Sequence, residues 1–100
     1  MPTDTAIAAI LFQEGDAWVG HCVQYDIFAQ GTTLDDARSR LEETIAVEIE
    51  FDQQRGVAPL SDIGPAPEWV AQRYNQATGR YTPLGKQTMP AWTMELALCA

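Results

Sequence analysis

The sequence predicts an α+β domain: an antiparallel sheet, made of an N-terminal β-meander and a C-terminal strand, packed on one long helix with a short second helix. Three observations carry the prediction. Short β-prone runs crowd residues 5–30 with only small turns between them. Residues Leu34 to Arg55 repeat apolar side chains at helical spacing between a start and a stop signal. Residues Ala91 to Cys99 alternate apolar and polar with a period of two, and need a sheet to join.

The first strand reads TAIAAILFQ from Thr5 to Gln13. Ile7, Ala9 and Leu11 fall on one face and Ala8, Ile10 and Phe12 on the other, so both faces are apolar and a central position is expected. Glu14-Gly15-Asp16 suits a hairpin turn. In the second strand, Ala17 to Val23, Val19, His21 and Val23 share a face, with Trp18, Gly20 and Cys22 opposite. A third strand is expected over Gln24 to Ala29, joined by a tight turn or bulge near Gln24. Three such strands make an antiparallel meander.

Gln30-Gly31-Thr32-Thr33 links this meander to the helix. Gly31 tolerates the positive φ that a sharp turn often needs. Thr32 or Thr33 can cap the first free backbone N–H groups, and Asp35 and Asp36 face the positive end of the helix dipole. Thr33 with Asp36 is a shortened capping box. Leu34, Ala37, Leu41, Ile45 and either Glu48 or Ile49 form the core stripe. Asp36 with Arg40, and Arg38 with Glu42, are opposite charges one helical turn apart. Arg55 followed by Gly56 ends the helix.

A second apolar stripe, Val47 and Phe51 with Thr44, is offset from the first. It is covered by the 57–75 segment or it lies in an oligomer interface. Residues 57–67 read as an ordered connector, because Val57, Leu60 and Ile63 interleave its prolines. A short helix starts at Pro67, places Trp69, Val70, Arg73 and Tyr74 on one face, and stops at Gly79. Residues 80–90 read as a loop with room for a short extended piece. In the last strand Trp92, Met94, Leu96 and Leu98 form the apolar face.

Composition bounds what this domain does. One hundred residues with 46% hydrophobic make one globular domain over 1–100. No apolar run reaches membrane-helix length, and Met1-Pro2-Thr3-Asp4 carries no positive region. A cytoplasmic protein is expected. Cys22 and Cys99 read as reduced small hydrophobes, not a disulfide framework. The net charge of −8 disfavours nucleic acid and favours a basic protein partner. Seven of the fourteen acids lie between Asp35 and Asp52, so the helix carries much of that field.

Catalytic chemistry is sparse. His21 is the sole histidine, and it sits among apolar neighbours on a strand face. As a general base it needs a partner in reach; Cys22 points to the opposite face, which leaves a carboxylate such as Asp26. Two Cys and one His match no zinc pattern, and no cofactor is expected. Asp35/Asp36 and Glu42/Glu43 are adjacent on a helix, where neighbours diverge by about 100°, so neither pair converges on one site. No phosphate-binding glycine loop is present.

Several motifs in order resemble one known family. Glu14-Gly15-Asp16, Trp18-Val19-Gly20-His21-Cys22, Tyr25-Asp26-Ile27, Gln30-Gly31 and Thr33-Leu34-Asp35-Asp36-Ala37 look like the HicB-like antitoxins over about residues 5–55. Members carry Pro-Glu-Leu after the cysteine, where this chain has Val23-Gln24-Tyr25, and alanine where it has Gly20. Many also append a DNA-binding domain that has no counterpart in this sequence.

The resemblance implies a partial ribonuclease H-like fold without catalytic carboxylates, which masks a small basic RNA-cleaving toxin of the HicA type and forms a homo-oligomer, dimer or tetramer. On that reading the partner contacts are Trp18, Tyr25, Asp26 and Phe28 on the meander, with Glu42, Glu43 and Glu50 on the helix. Val47 and Phe51 are candidates for the oligomer interface. The rival readings are a self-associating domain without a toxin, and a small hydrolase built on His21.

Overall fold

The computed structural model describes residues 5–77, 79–81 and 92–99. Strands β1 (Thr5–Glu14), β2 (Ala17–Cys22) and β3 (Phe28–Gly31) precede helix α1 (Leu34–Arg55). Helix α2 (Glu68–Gln76) and strands β4 (Gly79–Tyr81) and β5 (Trp92–Leu98) complete the order. The five strands form one sheet in the order β3-β2-β1-β5-β4. The loop reading for 82–90, the placement of Ala91 and the Trp92 side chain fall outside what is described.

β1 is the middle strand, as its two apolar faces require. It pairs antiparallel with β2 through Gly15, whose φ of 62° makes the tight turn. On its other side it pairs with β5, and here the pairing is parallel, from Thr5↔Trp92 to Leu11↔Leu98. The expected all-antiparallel sheet is therefore mixed. Period-two alternation assigns side chains to faces but reads the same in both chain directions, so it is silent on strand polarity. β4 is the short extended piece beyond α2, antiparallel to β5 at the sheet edge.

The third strand begins later than alternation suggests. Residues 23–27 loop out of the ladder, and β3 pairs with β2 only from His21↔Phe28 to Trp18↔Gly31. The Gln24 side chain replaces a strand neighbour there. Its Oε1 accepts from Ala8 N at 2.9 Å, and its Nε2 donates to Ala6 O at 3.0 Å. The facial reading survives, because Tyr25, Ile27 and Ala29 all pack on the α1 side.

α1 covers one face of the sheet. Ala37, Leu41, Ile45 and Ile49 are buried against Ile7, Ala9 and Leu11 of β1, Cys22 of β2, and Met94 and Leu96 of β5. Each fully buried Leu or Ile contributes about 1.5–3 kcal/mol. α2 covers part of the other face, where Val70 packs with Ile10, Phe12, Val19 and Ala97.

The helix start is built as its sequence dictates. Thr33 is the N-cap and its Oγ1 accepts from Asp36 N at 3.0 Å, while Asp36 Oδ2 accepts from Thr32 N at 3.1 Å. The expected pairs form, Arg38 to Glu42 at 2.9 Å with both side chains largely covered, and Arg40 Nε to Asp36 at 3.2 Å, a more exposed pair that contributes only a few tenths of a kcal/mol, roughly. Gly56 closes the helix with φ 75°. Beyond it, buried Asp52 accepts from Leu60 N at 2.7 Å and from Arg55 at 2.9 Å, and so ties the connector to the helix end. Leu60 takes φ 64° there, an unusual value for a side chain of its size, and is held by that bond and by its burial.

Two of these carboxyls titrate below the usual range. The Thr32 backbone N–H and then Arg40 lower Asp36; Arg55 and then the Leu60 N–H lower Asp52. A carboxyl lowered in the folded state adds stability that is complete above its unfolded value, near 4, and is lost as pH falls through the lower folded value. Asp36→Asn is therefore expected to unfold at lower urea than the parent at pH 7, with the two midpoints converging as pH falls from there through the lowered folded value. A gap that stays constant across that range would assign the role of Asp36 to something other than its charge.

Candidate functional site

Among the described residues, exposed apolar side chains gather in pairs on two surfaces, Val47 with Phe51 and Phe28 with Trp69, one on each side of the sheet. The first is the outward face of α1. Core packing takes one side of the helix and leaves the opposite side free. Val47 is 63% and Phe51 54% exposed there, so the 57–75 segment does not cover the second stripe. That segment runs elsewhere: Leu60 and Ile63 join the core beside α1, and Val70 packs across the sheet. Glu43 and Glu50 are exposed on the same helix side, and Arg55 stacks its guanidinium 5.0 Å above the Phe51 ring. Glu42 is turned inward, paired with Arg38 and only 19% exposed, so it is not part of this surface.

The second surface is a groove on the far face, where α2 leaves β2 and β3 uncovered. Phe12, Val19, His21 and Phe28 form its floor, Trp69 and Arg73 of α2 its wall, and Glu14 and Gln30 its rim, around a volume of about 300 Å3. His21 and Phe28 are cross-strand partners, with ring centroids 5.1 Å apart. Trp69 meets His21 edge-on at 5.7 Å and Phe12 at 5.9 Å. Arg73 lies one turn after Trp69, with its guanidinium 5.0 Å over Phe12 and 5.8 Å over Trp69.

His21 itself is buried, and its Nε2 meets Asp26 Oδ1 at 3.0 Å. With the carboxylate accepting, Nε2 is the donor. This arrangement can hold a proton in place. The described residues lining the groove include no Ser, Thr or Cys that it could activate. Cys22 lies on the α1 side of β2, and burial pushes its thiol up to about 12, far from thiolate chemistry at neutral pH. Among the described residues, no cluster of three or more His, Cys, Asp or Glu could hold a metal ion.

The sequence-predicted contacts thus divide. Asp26 and Phe28 meet His21 at the groove, and Glu43 and Glu50 flank Val47 and Phe51 on α1. Trp18 and Tyr25 face the core on the α1 side and are half-buried against it, which removes them from either surface. Phe12, Glu14, Gln30, Trp69 and Arg73 were not legible as site residues. The one local signal was the Trp69–Arg73 spacing, which puts a cation over an indole; the rest needs the fold to bring β1, β3 and α2 together. No helix among the described residues is long and apolar enough to cross a membrane. No family model matches the chain, and no curated protein or solved structure matches it either.

Proposed function

We propose that this protein is a non-catalytic, HicB-like antitoxin or solitary antitoxin-like protein of the cytoplasm, which binds and masks a small basic RNA-cleaving toxin. The observation that carries the reading is the outward face of α1: two exposed apolar side chains, Val47 and Phe51, flanked by Glu43 and Glu50. An apolar centre within a charged rim is the usual composition of a protein interface. The net charge of −8 steers a basic partner toward it. A sheet packed on one long helix is also the architecture that the resemblance implies, which supports the same reading.

The test uses tagged protein to recover partners from its native cells at low salt, with Phe51→Asp in parallel. Expected is one small basic protein, released by salt, absent from the variant, whose RNA cleavage stops when the antitoxin is added back. Recovery of the bait alone, or equal retention by the variant, would refute the proposal.

The same exposed pair favours a second reading, a seam between two copies of the chain. Salt separates the two. A two-fold seam brings Glu43 and Glu50 against their own copies, so screening strengthens it, whereas screening weakens a complex with a basic partner. Under the seam reading, Phe51→Asp lowers the hydrodynamic mass of the free protein; an unchanged mass dismisses it.

A further inference from the structure

We propose that the groove between β3 and α2 is a binding site for a free aromatic amino acid. This goes beyond partner masking and uses the opposite face of the sheet from Val47 and Phe51. Folding leaves Phe28 61% and Trp69 43% exposed, and both rings line an opening of about 300 Å3, Phe28 on its floor and Trp69 on its wall. That size lies at the small end of ligand sites, suited to a single ring with its substituents. His21 and Phe12 supply further aromatic surface, in the tilted and edge-on geometries that a ring can join.

The charged groups select the rest of the ligand. Arg73 is fixed by stacking on Phe12 and Trp69, which occupies the face of its guanidinium and leaves the N–H edge for a carboxylate. Glu14 lies two residues from Phe12 on the same strand face, roughly 6.6 Å along β1. Among the described residues neither Arg73 nor Glu14 has an ion-pair partner. A cation and an anion that line one groove, neither with an ion-pair partner among the described residues, match the carboxylate and ammonium of one α-amino acid, with its ring against Phe28 and Trp69. A simple aryl carboxylate would leave Glu14 opposing it, and an aryl amine would leave Arg73 opposing it.

The experiment is calorimetric titration of the whole protein with L-phenylalanine, phenylacetate and phenethylamine. Expected is saturable binding of phenylalanine with a Kd of about a millimolar or tighter, in line with its few atoms. The two single-charge analogues should each bind about tenfold more weakly. Arg73→Met should cost phenylalanine about tenfold while sparing phenethylamine, and Glu14→Gln the same while sparing phenylacetate. All these side chains are exposed or at the rim, so the variants fold; Phe28→Ala, also exposed, should weaken all three ligands. No saturable binding of phenylalanine, equal binding of the three ligands, or variants that bind like the parent would each overturn the proposal.

Discussion

Replacing Gly31 with alanine should cost about 3 kcal/mol or more, or about 15 °C in Tm for a chain of this size. A Cβ at this position would stand 2.6 Å from Ala37 N, 2.8 Å from Asp36 Oδ2 and 2.9 Å from Asp36 C. Two of the three atoms are backbone in the first turn of α1, so no rotamer change relieves the contact. Either β3 must tilt and break its pairing at Trp18↔Gly31, or the start of α1 must lift away from the sheet. Lifting also disrupts the Thr33 cap and the Asp36–Thr32 bond. Gly64→Ala is the control, since nothing lies within 4 Å of its added methyl, and its change should stay under about 1 kcal/mol. Urea unfolding of the two variants decides the matter. Equal losses would mean that Gly31 is tolerant and that the junction yields.

This glycine shows where sequence reading reached its limit. The position was legible as special, but for a positive φ, and among the described residues the backbone takes its positive φ at Gly15, Gly56 and Leu60 instead. What Gly31 supplies is room for a helix to start against a strand, a tertiary requirement that no local pattern encodes. Thr33, Asp36 and the Ala37–Ile49 stripe were legible because capping and helical spacing are local. β1 was legible as central because both its faces are apolar. The direction of β5 was not, since alternation has no polarity. β3 starts later than alternation suggests, because residues 23–27 leave the ladder and the Gln24 amide bonds to Ala6 and Ala8 in place of a strand neighbour. Of the candidate site, the acids of α1 and the pair Val47/Phe51 could be read, but not that they remain open. Their exposure depends on the 57–75 segment crossing to the other face of the sheet. The groove could be read only in fragments, Phe28 and the Trp69–Arg73 spacing, for its lining comes from four elements, β1, β2, β3 and α2.

Leu41→Ala is expected to lower stability by about 3 to 4 kcal/mol, and Gly20→Ala to recover part of the loss. Leu41 is wholly buried at the centre of α1, and it sits directly over Gly20 of β2. Truncation removes its packing and leaves a cavity that the rigid sheet closes only partly. Alone, Gly20→Ala places a methyl 3.2 Å from Leu11 Cδ2 and 3.2 Å from Leu41 Cδ2. Both contacts are side-chain ends that can shift by a few tenths of an ångström, so the clash is near 1 kcal/mol. Against it stands a gain of about 0.4–1 kcal/mol, because alanine has less freedom to lose from the unfolded chain. The single change should therefore sit near neutral. With Leu41 shortened, one of the two crowding atoms is gone and the new methyl enters the vacated space. The gain from the unfolded state remains, and of the two close contacts only that with Leu11 Cδ2 is left. A double-mutant cycle in urea should then give a favourable coupling of about 1 kcal/mol, within the range for residues in contact. Strict additivity would show that the space left by Leu41 is filled from elsewhere, by movement of α1 itself toward the sheet.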